Sequence, residues 1–357
     1  MAKKKIITTT IGSFPKPKYL PIMDWFDSAR GEEGMNTIKT TIEYTNYNKN
    51  KKLSDEKLFK KAASEVINIQ IDAGIDIPTD GEVRRENYVH YHCRNLDGFD
   101  FDNLEHRVLR DGAYETSLPA IRGKVRHLGN FYSSLDYVSS QSVSSKPIKF
   151  TIPGPLTIMD TSADCFYNDR KKLNNDLADT INLEILNLVD KGCKYIQVDE
   201  PLFARQVDDA YSFGFEGIER CLHKVPKDIN KIIHICCGYT DRLDDENYKK
   251  ADPKSYFDLS KELNNMSIDQ ISIEDAHCKN DLNLLSNFPD KKIIFGAINV
   301  TKSRLETVDE VRDRLKQALN FIDRERLVVS PDCGMGLFSI GLAQDKLKTL
   351  CKAVNSI

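Results

Sequence analysis

Eight short runs rich in β-branched and aliphatic residues recur along the chain, separated by longer runs of helical periodicity. They are Ile6–Ile11, Ile75–Thr79, Ile148–Ile152, Tyr195–Val198, Ile232–Cys236, Gln270–Ile273, Ile293–Ile298 and Leu327–Val329. Each is too short for a helix and has the length of a buried strand. The clearest helical pattern opens at Ser54, a predicted N-cap, and repeats through Leu58, Ala62, Val66 and Ile69. Others span Leu177–Val189, Val308–Phe321 and Leu342–Val354. Strand–helix alternation of this kind predicts an α/β fold with a parallel sheet, and eight strands predict closure into a (β/α)8 TIM barrel. No internal repeat or Pro/Gly/Ser linker divides the chain, so one domain over residues 1–357 is expected. Two excursions exceed the minimal repeat: residues 15–53 after the first strand and 83–147 after the second. They predict elaborated βα loops over one end of the barrel. The turn-rich DGFDFDN and LRDGAY stretches within the second predict a small hairpin.

Charge narrows the partners. A formal net charge of −3 and a pI near 6.2 give no electrostatic basis for binding nucleic acid or an anionic membrane. Lysine groups such as Lys3–Lys5 read as solvated faces. No apolar run approaches the roughly 18 residues of a membrane span, and the basic N-terminus lacks the apolar stretch of a signal peptide. The nine cysteines are odd in number and scattered, which argues against a disulfide scaffold and for a reducing cytoplasm. Cys93, Cys165, Cys193, Cys221 and Cys351 are expected to be ordinary buried thiols.

The chemistry gathers where the strands end, at the barrel end that carries active sites. The fifth run ends KIIHICCGY, where His234 and Cys236 alternate onto one side of the strand. The sixth ends SIEDAH and places Glu274 at the equivalent level; the eighth ends VVSPDCGMG and places Cys333 beside glycines. Singly, each has an ordinary structural explanation: a satisfied histidine beside a core cysteine, a strand-end carboxylate paired with a lysine, a buried thiol. Together they offer one nitrogen, two sulfurs and one carboxylate oxygen, a tetrahedral set suited to Zn2+. Two thiolates and a carboxylate overbalance the metal's charge. Such a site activates water poorly but holds a substrate thiol as a nucleophilic thiolate, which implies alkyl transfer to sulfur.

At these residues the chain resembles the cobalamin-independent methionine synthase family, in its C-terminal catalytic barrel. The resemblance runs through TTTIGSFPKP (Thr8–Pro17), TDGEVRREN (Thr79–Asn87), IPGPLTIMD (Ile152–Asp160), IQVDEPLF (Ile196–Phe203), HICCGY (His234–Tyr239), ISIEDAH (Ile271–His277) and SPDCGMG (Ser330–Gly336). It implies zinc ligands at His234, Cys236, Glu274 and Cys333. It also implies a homocysteine site, with Ile11, Gly12 and Ser13 at the carboxylate and Glu82 and Asp199 at the amino group. The chemistry is consistent, since backbone N–H groups and a hydroxyl suit a carboxylate and two acids suit an ammonium. The implied reaction is methyl transfer to homocysteine, forming methionine, from a methylfolate or from a methylcorrinoid carried by a partner protein.

Three departures concern the donor. The family's long members have a second, N-terminal barrel, which is not expected here. Thr161 stands near the place of a family tryptophan, and Thr301, in NVTKSR, where the family has a histidine. Two further readings stay open. One is alkyl transfer to a coenzyme M type thiol, for which Arg84 and Arg85 would supply cations; the other is a zinc- and thiol-binding barrel without catalysis. Tyr88, His90, Tyr91 and His92 form an aromatic, titratable cluster whose expected role is loop packing, the alternative being a roof over the site.

Overall fold

The computed structural model describes residues 5–26, 37–109, 114–246, 248 and 250–357. Lys3, Lys4 and the tip of the LRDGAY turn lie outside the described residues, as do residues 27–36 of the first excursion.

The fold is α/β, built on a curled sheet of seven parallel strands. In chain order its strands are β1 (Ile7–Thr8), β4 (Lys149–Pro153), β6 (Tyr195–Asp199), β7 (Asn230–Ile235), β8 (Gln270–Ile273), β9 (Lys292–Ile298) and β10 (Leu327–Pro331). Their order across the sheet is β1-β10-β9-β8-β7-β6-β4. Strands buried on both faces read as continuous apolar runs rather than alternating ones, because helices cover the outer face. Among these helices are α2 (Asp55–Ala73), α6 (Arg170–Asp190), α9 (Ser255–Asn265), α10 (Val308–Ala318) and α11 (Ile340–Asn355). In α6, Leu177, Ile181, Ile185 and Leu188 repeat at helical spacing and pack into the same core as Ile196 and Val198 of β6. Thr307 and Glu310 close a reciprocal capping box at the start of α10, which fixes where the chain leaves β9 and turns back.

The second predicted run, Ile75–Thr79, forms no continuous ladder. It meets its neighbours through isolated parallel bridges, Thr9 with Ile77 and Thr79 with Lys149. Side chains take over the missing ladder bonds. The buried Gln70 of α2 accepts from Thr79 N–H at 3.1 Å and donates to Thr79 C=O at 2.9 Å. Thr9 Oγ1 donates to Ile77 C=O at 2.7 Å. The same substitution shortens β1 to two residues, since the Thr10 hydroxyl also donates to Gln70, at 2.6 Å.

Other expectations need correction. Ser54 stands at the helix start in αR geometry without a side-chain cap; the Asp55 carboxylate accepts from Lys52 N–H instead. The buried face of α2 also lies further round than predicted. Phe59, Ala63 and Ile67 join Ala62 and Val66 inside, while Leu58 and Ile69 are half-buried. Cys165 is exposed, whereas Cys93, Cys193, Cys221 and Cys351 are buried as expected.

The second excursion holds α3 (Tyr88–Cys93) and a hairpin of β2 (Leu96–Leu109) and β3 (Tyr114–His127). The hairpin is antiparallel, as the turn signals predicted, and the short β5 (Ala163–Asp164) adds to its β3 edge. Within the described residues, no helix is long and apolar enough to cross a membrane.

Candidate functional site

The carboxyl ends of the strands surround a cavity of about 180 Å3. Of the residues singled out from sequence, Ile11, Gly12, Ser13, Glu82 and Asp199 line it, and so do His234, Cys236 and Cys333. Glu274 does not.

His234 and Cys236 leave the end of β7 on the same side, as alternation predicts. Cys333 reaches them from the turn after β10, with its Sγ 3.5 Å from His234 Nε2. The three donor atoms lie within 4.8 Å of one another. A tetrahedral zinc with bond lengths of roughly 2.0 Å to nitrogen and 2.3 Å to sulfur needs donor separations of about 3.6 Å, and the His234–Cys333 distance matches this. Hydrogen bonding from Cys333 and from His234 holds the Cys236 thiol well below its ordinary value.

Glu274 belongs to a neighbouring group. Its buried carboxylate pairs with Lys250 at 2.7 Å and accepts from Cys278 Sγ at 3.4 Å. Its oxygens cluster with the sulfurs of Cys237 and Cys278. The structure thus brings three of the four predicted ligands together and holds the fourth on a lysine.

The acidic pair is supported from below. Glu82 has φ +57°, and its N–H donates to Asp80 at 2.9 Å, a local bond that compensates the left-handed backbone. Its Oε1 accepts from Thr151 Oγ1 at 2.8 Å and lies 3.5 Å from Arg85 Nη1. Gly12 is needed for this approach, because a Cβ there would stand 2.7 Å from Glu82 Oε1. Asp199 accepts from Gln197 Nε2 at 2.7 Å, and burial pushes its carboxyl up to about 7 against the opposing pull of His234. Next to it, Glu200 turns away from the cavity and accepts from the N–H groups of Leu156, at 3.0 Å, and Thr157, at 2.8 Å. This fastens the GPLT turn to the DEP turn.

Two supporting residues escaped the sequence reading. Ser272 Oγ lies 2.8 Å from His234 Nδ1, and the two residues are register partners between β7 and β8. Its signal was available, since it stands on β8 two residues before Glu274. Asp332, just before Cys333, accepts from the N–H groups of Asp275 and Ala276 at 2.9 Å and of His277 at 2.8 Å, which holds the loop carrying Glu274.

The aromatic cluster divides. Tyr88 lines the cavity with its ring 5.8 Å from that of Trp25, the sole tryptophan. His90 and His92 are buried, and desolvation lowers them to about 4 and about 3. Tyr91 donates to Asp136 at 2.9 Å. Packing, the expected role, therefore describes three of the four. Thr161 lines the cavity, while Thr301 is 3.1 Å from His277 Nδ1 in a side-chain network. Neither Arg84 nor Arg85 lines the cavity: Arg85 binds Thr151 and Glu82, and Arg84 pairs with Glu56 and Asp136.

Residues 6–356 match the family model described as the catalytic domain of the cobalamin-independent synthases. The chain belongs to that family. It is 31% identical to a methionine synthase of Saccharolobus islandicus, over 98% of this chain and 94% of that protein. It is also 31% identical to one of Sulfolobus acidocaldarius, over 97% and 90%. Among solved structures, a B12-independent methionine synthase from Shewanella sp. W3-18-1 in complex with selenomethionine superposes with a TM-score of 0.82. That match has 28% identity and covers 99% of this chain and 98% of that one. Family membership accounts for the order of all seven motifs along the chain.

Proposed function

We propose that this chain is a zinc-dependent methyltransferase that converts homocysteine to methionine, with His234, Cys236, Cys333 and Glu274 as the metal's ligands. The observation that carries the reading is that the three-donor group of His234, Cys236 and Cys333 lines one cavity together with Glu82 and Asp199. The sheet that supports it is read as a closed eight-strand barrel, with Ile75–Thr79 as the strand between β1 and β4. The whole of residues 1–357 is read as one domain working in the cytoplasm.

Bound to these donors, zinc supplies the means of holding the acceptor thiol as a thiolate at neutral pH. Everything else in the reaction falls to the chain's own groups. Asp199 and Glu82 pair with the amino group of homocysteine, and the backbone of Ile11 and Gly12 with the Ser13 hydroxyl binds its carboxylate, so the thiol is aimed at the donor set. Ser272 orients His234 through the ring nitrogen that faces away from the donor group. Trp25, Phe26, Tyr88 and Tyr239 wall the cavity and limit water at the attacking sulfur. The methyl donor is a methylfolate or a methylcorrinoid delivered by a partner protein.

That the Shewanella synthase is in complex with selenomethionine, which differs from methionine only in its chalcogen, supports an amino-acid ligand. The coenzyme M reading loses its cations, because Arg84 and Arg85 are engaged elsewhere.

The test is methionine formation from homocysteine with methylfolate and methylcobalamin in separate reactions, wild type beside Cys333→Ala. Turnover with either donor, lost in the variant, is expected. Zinc-loaded protein that binds homocysteine but turns over with neither donor would contradict catalysis with these donors and favour the thiol-binding reading.

A further inference from the structure

Among the described residues Arg205 is the one arginine that lines the cavity, and its setting is built. It ends α7 (Leu202–Arg205), the short helix that follows the DEP turn. Its Nη2 donates to Tyr248 Oη at 2.6 Å. The guanidinium lies across Gly238, where φ is +126° and an added Cβ would stand 1.9 Å from Nη2. Only glycine leaves room for it there. Among the described residues no carboxylate pairs with this guanidinium, although most other arginines of the chain have one. A half-buried guanidinium held in place by one hydroxyl, with its remaining donors unspent on protein acids, is a receptor for an anion.

The surroundings define what the anion is attached to. The cavity that Arg205 lines has aromatic walls: Trp25 against Tyr88, and Phe26 with its ring 5.9 Å from that of Tyr239. An ammonium-seeking acid pair, Glu82 and Asp199, lines the same cavity. The acceptor's amino end is thereby provided for, and a cation placed among flat apolar walls is left for the second substrate.

We infer that Arg205 is a donor-specificity residue: it binds an anionic group carried by a methyl donor whose body is a flat ring system resting on the aromatic wall. The inference rests on the methyl-transfer reading above. Two donor sources share this chemistry. A methylfolate has a pterin ring with glutamate carboxylates, and a methylcorrinoid has a corrin ring with the phosphate of its nucleotide loop. In both, the guanidinium acts on binding and leaves the transferring methyl group to the thiolate.

Calorimetric titration of the zinc-loaded enzyme with two matched pairs of ligands tests the proposal. One pair is 5-methyltetrahydrofolate triglutamate and a 5-methyltetrahydropterin without glutamate; the other is methylcobalamin and methylcobinamide, which lacks the phosphate. In at least one pair the anionic member should bind roughly tenfold or more tightly than its counterpart, the scale of a charge-assisted hydrogen bond. Arg205→Met should abolish that difference, Arg205→Lys should keep part of it, and homocysteine binding should be unchanged in both. Equal binding within both pairs, or no binding of either anionic donor, overturns the proposal. So does a loss in Arg205→Met that falls on homocysteine. If wild type instead fails to take up zinc or homocysteine, the functional reading itself has failed, and that result is read separately on the same samples.

Discussion

The hydroxyl of Ser272 lies 2.8 Å from Nδ1 of His234, one strand away in matched register, so the imidazole presents Nε2 to the two cysteine sulfurs. The tautomer and tilt of the ring are set by a neighbour that never faces the cavity. Partners of this kind matter to metal affinity nearly as much as the ligands do. Ser272→Ala should therefore keep its fold and weaken zinc binding by roughly 10- to 100-fold. Competition with a chelator measures this directly, and unchanged affinity would show that the ring needs no such support.

Asp199 carries a pH dependence whose sign follows from its burial. Its carboxyl is pushed up to about 7, so in the empty site it is protonated below that pH and ionised above it. An amino acid's ammonium pairs with the ionised form. Methionine, which has no thiol to titrate, should bind more weakly as pH falls through 7, by up to about tenfold per unit for a single proton. Asp199→Asn should bind weakly at every pH and lose the slope. A wild-type profile flat between pH 5.5 and 8 would contradict the assignment.

Gly12→Ala places a methyl group 2.7 Å from Glu82 Oε1. Either Glu82 or the loop after β1 must move, at a cost of about 1–3 kcal/mol for a forced overpacking. The expected outcome is a raised KM for homocysteine with zinc content intact. A variant with wild-type KM would show that Glu82 moves without consequence for the acceptor.

Lys250 and Glu274 form a buried ion pair at 2.7 Å, with both side chains largely removed from solvent. Removing the lysine strands a buried carboxylate, which costs roughly 3–5 kcal/mol. Lys250→Met should lower the melting temperature of the metal-free protein, and Lys250→Met with Glu274→Gln should recover part of the loss. Zinc should then raise the melting temperature of Lys250→Met more than that of wild type, because a cation at the donor group neutralises the released carboxylate. Equal zinc shifts in the two proteins would argue that Glu274 does not join the metal.

Much of the architecture was legible because a doubly covered strand must be apolar throughout: Ile271 and Ile273, Ile233 and Ile235, and Ile294 with Phe295 announce themselves without any partner. The second strand was legible as a run but not as a ladder, since Gln70, on a helix, supplies the bonds that strand pairing would have made. Alternation at a strand end placed His234 beside Cys236, and the turn after β10 brought Cys333 to them. The position of Glu274 was less legible, because Lys250 competes for it from a segment with no strand or helix signal of its own. Trp25 and Arg205 were equally silent in sequence. Trp25 lines the cavity from the irregular segment after β1 and Arg205 from a four-residue helix after β6, and neither is long enough to leave a periodicity to read.

In the proposed reaction a substrate thiol joins His234, Cys236 and Cys333 on one metal ion. X-ray absorption at the zinc edge, with and without homocysteine, counts the sulfurs around that ion. About two sulfur neighbours are expected in the zinc-loaded protein and about three once homocysteine is added, at the bond length of roughly 2.3 Å expected for zinc thiolates. A sulfur count that stays at two on saturation with homocysteine, or a carefully purified protein that takes up no zinc, would contradict it.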